Sequence, residues 1–206
     1  MYRPPQFRVE DRSEIHQMMR ATRLCNLVTS GPEGLHATAL PLLLEDREGE
    51  FGTLYGHLSR ANPQWKMDVQ GDALAIFMGP SAYVTPAWYG AKQETGKVVP
   101  TWNYTAVHAY GVVEFFTERE AMLQLVSQLT ERHEADRENP WAVRDAPEEF
   151  VEAKLKGIVG LRLEITRLEG KAKASQDKSD SDRQRIAEGL RESGDVENQA
   201  LAEWIP

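Results

Sequence analysis

Residues 56–65 read Gly56-His57-Leu58-Ser59-Arg60-Ala61-Asn62-Pro63-Gln64-Trp65, and they join the end of a predicted strand to the start of a predicted helix. Asn62 is suited to cap that helix, and Pro63 to occupy its first position. A helix start presents backbone N–H groups and a positive dipole end, so Ser59 and Arg60 beside it predict a site for one phosphate dianion. The alternative is an ordinary strand-to-helix turn in which Asn62 is only a cap and Arg60 is solvated.

A meander of strands leads into this segment. The pattern predicts strands from Leu24 to Thr29, from Leu35 to Leu44 and from Phe51 to His57, joined by short polar turns. Because Pro41 lacks a backbone N–H, we expect the second strand to lie at an edge or to be interrupted there. Strands in such a meander indicate an antiparallel barrel.

His36 and Thr38 lie on the second strand of the meander. The second and third strands of a meander pair with each other, so we expect His36 near the Ser59-Arg60 end of the third strand. There it could donate to a phosphate oxygen. The alternative is a half-exposed strand histidine.

The remaining elements follow from hydrophobic period and from capping residues. Strands are predicted from Ala73 to Met78, from Thr101 to Phe116 and, by clear alternation, from Ile158 to Leu168. Helices are predicted from Asp11 to about Thr22, from the capping box Thr117-Glu118-Arg119-Glu120 to about His133, and from Asp145-Ala146-Pro147 onward. We assign residues 1–176 to one barrel domain and residues 177–206 to a helical tail that packs on the barrel or on a dimer partner.

Two further segments carry groups that suit a ring ligand. A long loop from Tyr83 to Pro100 leads into Trp102-Asn103-Tyr104, whose aromatic and amide groups can pack against a planar ring and hydrogen-bond to it. The alternative is a core-filling aromatic cluster. Gly170-Lys171-Ala172-Lys173-Ala174-Ser175-Gln176 follows the predicted closing strand, and beside a ring ligand its cations would stabilise negative charge that builds on the ring. The alternative is a solvated basic turn.

Composition restricts the function classes. The chain has 206 residues and a net charge of −8, which argues against a broad nucleic-acid-binding surface. No apolar run approaches the ~20 residues of a membrane span, and no secretory signal is present, so we expect a cytoplasmic protein. The single cysteine, Cys25, excludes an internal disulfide and is expected in the core. The sequence shows no dinucleotide fingerprint, no phosphate-binding loop motif and no metal-ligand spacing.

Seven blocks of the sequence, in order, resemble the PaiB-like proteins, a family described as FMN-binding negative transcriptional regulators. The blocks are Met1-Tyr2-x-Pro4, Gly56-His57-x-x-Arg60-Ala61-Asn62-Pro63-x-Trp65, Gly79-Pro80-x-Ala82-Tyr83-Val84-x-Pro86-x-Trp88-Tyr89, Val99-Pro100-Thr101-Trp102-Asn103-Tyr104-x-x-Val107-His108, Pro140-Trp141, Ile158-Val159-Gly160 and Gly170-Lys171-x-Lys173-x-Ser175-Gln176. The resemblance covers about residues 1–190.

The resemblance implies a mainly β fold with flanking helices, a six-stranded antiparallel split barrel that forms a homodimer with FMN in two clefts at the interface. The implied cofactor-binding residues and their neighbours are His36, Thr38, Ser59, Arg60, Asn62, Trp102, Asn103, Lys171, Lys173, Ser175 and Gln176. The group from His36 to Asn62 is expected around the FMN phosphate. The group from Trp102 to Gln176 is expected to come from the second subunit.

Three functions remain open from the sequence. One is a regulator that senses flavin or redox state and, lacking a basic recognition helix, acts through a protein partner or indirectly. Another is a small FMN-dependent oxidoreductase, resembling flavin reductases or pyridoxamine phosphate oxidases, with His57, His108 and Tyr89 as candidate acid–base groups. A third is a binding module that has lost FMN, because His36 and Asn62 stand where the wider split-barrel class often has cations.

Overall fold

The computed structural model describes residues 1–90, 92 and 96–206, which form a largely antiparallel sheet with flanking helices. The strands are β1 (Arg8–Val9), β2 (Cys25–Gly31), β3 (Gly34–Leu40), β4 (Leu43–Glu45), β5 (Thr53–Ser59), β6 (Ala73–Val84), β7 (Thr101–Phe116) and β8 (Ile158–Lys173). Their order is β3-β2-β6-β7-β8-β5-β4, and β1 pairs with β8. The predicted six-stranded barrel is therefore corrected, over the described residues, to an open sheet of eight strands.

Five α-helices lie within the described residues. They are α1 (Arg12–Ala21), α2 (Arg119–Glu134), α3 (Glu148–Leu155), α4 (Asp180–Glu192) and α5 (Val196–Ala202). Single 3₁₀ turns occur at Pro5–Phe7, Pro63–Lys66, Pro86–Trp88 and Val143–Asp145. The prediction for α1 is confirmed, since the Asp11 carboxylate accepts a hydrogen bond from the Glu14 backbone N–H over 2.8 Å.

Several strand predictions are confirmed, and two strands run further than predicted. β7 has the predicted bounds, and the predicted strand around Pro41 is split into β3 and β4. β6 continues from Met78 to Val84, and β8 continues from Leu168 to Lys173. Lys171 and Lys173 are consequently strand residues rather than parts of a turn after the strand. Residues 91 and 93–95 of the predicted long loop lie outside the described residues.

Two helix starts differ from the predictions. Asn62 caps as expected, accepting from the Gln64 backbone N–H over 2.9 Å, but the helix it caps is a single 3₁₀ turn of four residues. So short a turn sums few peptide dipoles, and the predicted contribution of a helix dipole to phosphate binding is not supported. The predicted capping box is wrong, because the carboxylate of Glu118 accepts from the backbone N–H of Thr117 and α2 begins only at Arg119.

The chain divides into two compact units, which are described separately. The central unit comprises Arg23–Ile76 and Ala109–Leu168. The hairpin of β2 and β3 in this unit pairs Gly31 with Gly34 across a two-residue turn. Leu27, Leu54 and Leu161 are fully buried in it, and the burial of each such side chain contributes about 1.5–3 kcal/mol.

The terminal unit comprises Met1–Thr22, Phe77–His108 and Glu169–Pro206. Its helices α4 and α5 form a buried core with the end of β6 and with Tyr89. Trp88 packs so closely on Gly189 of α4 that an added Cβ there would lie 2.3 Å from Trp88 Cε2. The last thirty residues are thus tied to this unit by apolar packing, while the proposed boundary at residue 176 stays a prediction.

Candidate functional site

The turn after β5 carries the two side chains that were predicted to bind phosphate. Ser59 is the last residue of β5, and both Ser59 and Arg60 are exposed. The Arg60 backbone N–H donates to the Gly157 carbonyl over 2.8 Å, and its guanidinium Nη2 donates to the Ile158 carbonyl over 3.2 Å. The Trp65 indole Nε1–H donates a hydrogen bond to the Arg60 carbonyl over 2.9 Å. The backbone of the turn is therefore fixed while the cation remains at the surface.

A partly buried polar network lies beside this turn in the same unit. Asn62 Nδ2 donates to Thr38 Oγ1 over 2.8 Å, and Thr38 Oγ1 donates to Gln64 Oε1 over 2.5 Å. Both functional groups of Asn62 are thereby bonded within the chain, since its Oδ1 caps the 3₁₀ turn. Thr38 and Asn62 lie beside the Ser59-Arg60 turn, as the sequence predicts. Their side chains are bonded to each other and to Gln64, and they hold the shape of the turn. Ser59 and Arg60 are the exposed donors.

His36 lies on β3, in register with Thr29 on β2, and is half-buried. Its carbonyl accepts from Gln64 Nε2 over 3.4 Å, which links the histidine backbone to the same network. Because side chains alternate between the two faces of a strand, the His36 side chain lies on the same face of β3 as the Thr38 side chain. A role for the imidazole toward phosphate stays a prediction.

The terminal unit contains a buried amide with an unsatisfied acceptor. Asn103 on β7 is only 1% exposed, and its Nδ2 donates to Ser175 Oγ over 2.7 Å. Its Oδ1 is buried and has no hydrogen-bond partner among the described residues. Ser175 has a positive φ of 61°, which is uncommon for a residue other than glycine. A buried carbonyl left without a donor costs about 1–3 kcal/mol, so this geometry suits a ligand that brings an N–H group.

Two lysines of β8 lie in the same unit. Lys171 is buried, donates from Nζ to the Tyr104 hydroxyl over 2.6 Å, and lies 4.8 Å from the centroid of that ring. Lys173 donates from Nζ to Thr101 Oγ1 over 2.5 Å and to the Trp102 carbonyl over 2.7 Å. Burial lowers the pKa of the Lys173 ammonium. Both lysines lie on a strand and are bonded within the chain, Lys171 buried and Lys173 half-buried, so they do not form a solvated basic turn.

The other predicted residues of this segment have local or surface positions. Gln176 accepts from the Ala174 backbone N–H over 2.8 Å and donates to the Ala172 carbonyl over 2.7 Å, so it shapes the chain that holds Ser175. Trp102 is 56% exposed and makes an edge-to-face contact with Tyr83, with ring centroids 6.2 Å apart. Trp102 is therefore not part of a core-filling cluster.

The candidate acid–base groups and the cysteine lie in other surroundings. Tyr89 is buried in the core of the tail helices, and this burial raises the pKa of its phenol. His57 is half-buried with an unbonded Nδ1, and burial lowers the pKa of its imidazole. Cys25 is buried in the core, which confirms the prediction, and this burial raises the pKa of its thiol to about 12. Within the described ranges, no cluster of three or more His, Cys, Asp or Glu side chains is placed to hold a metal ion.

Sequence reasoning did not single out Gln64, which is 1% exposed at the centre of the polar network. Its amide bonds reach residues 26 to 37 positions earlier in the chain, so no local signal points to them. Likewise, the unsatisfied Oδ1 of Asn103 becomes visible only in three dimensions. No helix in the described part of the chain is long and apolar enough to cross a membrane.

The chain forms a mainly antiparallel sheet with flanking helices, and comparison with known proteins specifies its family. Residues 1–167 match the family described as "Putative FMN-binding domain". Over all 206 residues the chain is 30% identical to the protease synthase and sporulation protein PAI 2 of Bacillus subtilis, covering 96% of that protein. The chain therefore belongs to the PaiB-like family of FMN-binding proteins, and its cofactor is FMN.

Solved structures support the same fold at low sequence identity. The flavocytochrome Anf3 of Azotobacter vinelandii superposes with a TM-score of 0.58 at 15% identity, over 84% of this chain and 72% of that one. An FAD- and heme-binding protein of Mycobacterium smegmatis gives a TM-score of 0.58 at 16% identity, over 85% of this chain and 78% of that one. At such identities the likeness shows the fold alone.

The residues present fit the chemical groups of FMN. The exposed hydroxyl of Ser59 and guanidinium of Arg60 suit a phosphate dianion. The unbonded Oδ1 of Asn103 suits the imide N–H of the isoalloxazine ring. The ammonium groups of Lys171 and Lys173 suit the ring edge that becomes negative on reduction. The residues that suit the phosphate lie in the central unit, and the residues that suit the ring lie in the terminal unit.

Proposed function

We propose that this protein is a homodimeric FMN-binding negative regulator of transcription. One protomer supplies the phosphate half-site, Ser59 and Arg60, and its partner supplies the ring half-site around Asn103. The observation that carries the proposal is the unbonded Oδ1 of Asn103, for which the described residues provide no donor. A flavin imide is such a donor. Because this oxygen is buried in the single chain, the proposal requires the Asn103 side chain to turn toward the flavin when FMN binds.

The chain's own groups have distinct roles toward the cofactor in this proposal. Arg60 binds the phosphate at the surface, and Asn103 orients the ring by accepting its imide proton. Lys171 and Lys173 favour the reduced form by placing positive charge beside it. FMN, when bound, supplies reversible two-electron chemistry, and this makes the occupied site a sensor of redox state.

Regulation is proposed to proceed through a protein partner. The net charge of −8 opposes binding to the DNA backbone, because nucleic-acid binders normally present a basic face. The exposed aromatic pair of Tyr83 and Trp102 is a surface suited to contact a second protein chain.

The flavin half of the proposal is tested by titrating FMN into the wild type and into Asn103→Leu. Loss of the acceptor is expected to weaken FMN binding by roughly tenfold, in line with one hydrogen bond of about 1–1.5 kcal/mol. Asn26→Leu, the same change at an exposed strand position, serves as the control and is expected to bind FMN normally. Wild-type affinity in Asn103→Leu would contradict the assignment of Asn103.

The regulatory half is tested by selecting genomic DNA fragments with the purified FMN-loaded protein at physiological salt. The proposal expects no fragment to be enriched, and it expects a reporter repressed in cells by the wild type to be released in Asn103→Leu. Tight, sequence-specific binding by the pure protein would contradict regulation through a partner.

A small FMN-dependent oxidoreductase is the competing function. The buried position of Tyr89 argues against it as a group that exchanges protons with a substrate. His57 is half-buried and its neutral form is favoured, which fits a structural or ring-contacting residue as well as a base. Sustained oxidation of NADH or NADPH by the FMN-loaded protein with an added acceptor would favour the enzyme over the regulator.

A further inference from the structure

The side chain of Gln64 is buried, although Gln64 belongs to a short turn whose other residues are exposed or half-buried. It is the second residue of the single 3₁₀ turn after Arg60, yet its side chain is buried and crosses to the β2–β3 hairpin. Its Nε2 donates to Thr29 Oγ1 over 3.0 Å and to the Leu27 carbonyl over 3.2 Å, with the His36 carbonyl at 3.4 Å. A buried amide is stable only when its donors and acceptor are satisfied, as they are here.

The amide oxygen of Gln64 is linked through Thr38 to Asn62, at the start of the same turn. This Oε1 accepts from Thr38 Oγ1, which in turn accepts from Asn62 Nδ2. Asn62 caps the 3₁₀ turn, and the indole of Trp65 donates back to the Arg60 carbonyl. The segment from Arg60 to Trp65 is thus a closed loop, and Gln64 anchors it to β2 and to β3, the strand that carries His36 and Thr38.

From this geometry we infer that Gln64 is the positioning residue of the phosphate half-site. It holds the Ser59-Arg60 turn in the shape that receives the FMN phosphate, and it thereby governs the preference of the protein for FMN over riboflavin, which lacks the phosphate. This inference rests on the proposed assignment of Ser59 and Arg60 to the phosphate. Gln64 itself does not contact the cofactor in this account.

The test compares the dissociation constants for riboflavin and for FMN, measured by quenching of flavin fluorescence. In Gln64→Leu, which keeps the approximate volume but removes the amide, we expect FMN binding to weaken on the order of tenfold while riboflavin binding is unchanged. Gln70→Leu, at an exposed position in the same unit, is the matched control and is expected to keep the wild-type preference. A residue that served stability alone would change both affinities together or neither.

A second variant keeps the test decisive if Gln64→Leu does not fold. Thr38→Val removes one link of the network at a half-buried position with little change of shape, and it is expected to reduce the same preference to a smaller extent. A wild-type preference for FMN in a folded Gln64→Leu, or in Thr38→Val if that is the only folded variant, would overturn the inference.

The variant Arg60→Ala distinguishes a failure of this inference from a failure of the proposed phosphate site on which it rests. If Arg60→Ala lowers the preference for FMN and Gln64→Leu does not, the phosphate assignment stands and the role of Gln64 fails. If Arg60→Ala itself leaves the preference unchanged, the phosphate does not bind at this turn and both fail.

Discussion

The ammonium of Lys171 donates to the hydroxyl of Tyr104 over 2.6 Å and lies 5.8 Å from the centroid of the Tyr2 ring. Lys171 is only 6% exposed, so its charge is held by a phenol oxygen and by the faces of two aromatic rings. A buried charge is sensitive to the loss of any acceptor, because its desolvation is not recovered elsewhere.

Tyr104→Phe should therefore destabilise the fold. It removes the acceptor but keeps the ring, and we expect the free energy of unfolding to fall by about 1–3 kcal/mol. Urea denaturation followed by circular dichroism measures the change. Tyr2→Phe, which also keeps a ring beside Lys171, is the control and should have little effect, since Tyr2 is 84% exposed. Equal stabilities of Tyr104→Phe and the wild type would contradict the importance of the contact.

The packing of Trp88 on Gly189 gives a prediction whose sign is informative. Alanine is favoured over glycine inside a helix by about 1 kcal/mol, so Gly189→Ala would be stabilising if the indole could move aside. The Cβ would lie 2.3 Å from Trp88 Cε2, and overpacking of this kind costs about 1–3 kcal/mol. We expect net destabilisation in a thermal melt.

A neighbouring substitution and a double variant control that measurement. Glu188→Ala, on the exposed face of α4, should leave the melting temperature nearly unchanged. Combining Trp88→Leu with Gly189→Ala should cost less than the sum of the two single changes, because the smaller side chain removes the clash. A Gly189→Ala protein more stable than the wild type would show that the indole of Trp88 can move aside, and would contradict the tight packing of Trp88 on Gly189.

Cys25 predicts a specific pH dependence. Its pKa rises from 9.0 to about 12 in the folded protein because burial disfavours the thiolate. The unfolded chain releases this proton first, so the stabilising contribution is complete below pH 9 and is lost as the pH rises toward 12. The fall in the free energy of unfolding over this range should be smaller in Cys25→Ala than in the wild type. Identical slopes for the two proteins would contradict a buried, protonated thiol.

Much of the fold followed from local pattern. The bounds of β7 were predicted from its β-branched and aromatic residues, and the break at Pro41 from the missing N–H. Asp11 was identified as a cap because its carboxylate acts within one helical turn. Such features depend on neighbours in sequence, and this is why a sequence alone can reveal them.

The structure differs from the predictions where residues that are distant in the sequence determine the local conformation. β8 continues past Leu168 because β1 pairs with it at Gly170 and Lys171, and a strand of two residues leaves no recognisable pattern. The helix expected at Asn62 stops after one turn, where Gln64 bonds to the hairpin of β2 and β3. The site residues were predicted as two separate groups, but which of their side chains are bonded internally required the structure.

The central claim is that one FMN is bound by Ser59 and Arg60 of one protomer and by Asn103 of its partner. Arg60→Ala and Asn103→Leu chains, carrying different affinity tags and co-expressed, allow the mixed dimer to be isolated and titrated with FMN. A mixed dimer contains one site with both half-sites intact only if those half-sites come from different chains. We predict one tight site per mixed dimer and weak binding in each parent homodimer; a mixed dimer that binds FMN as weakly as both parents would contradict the account.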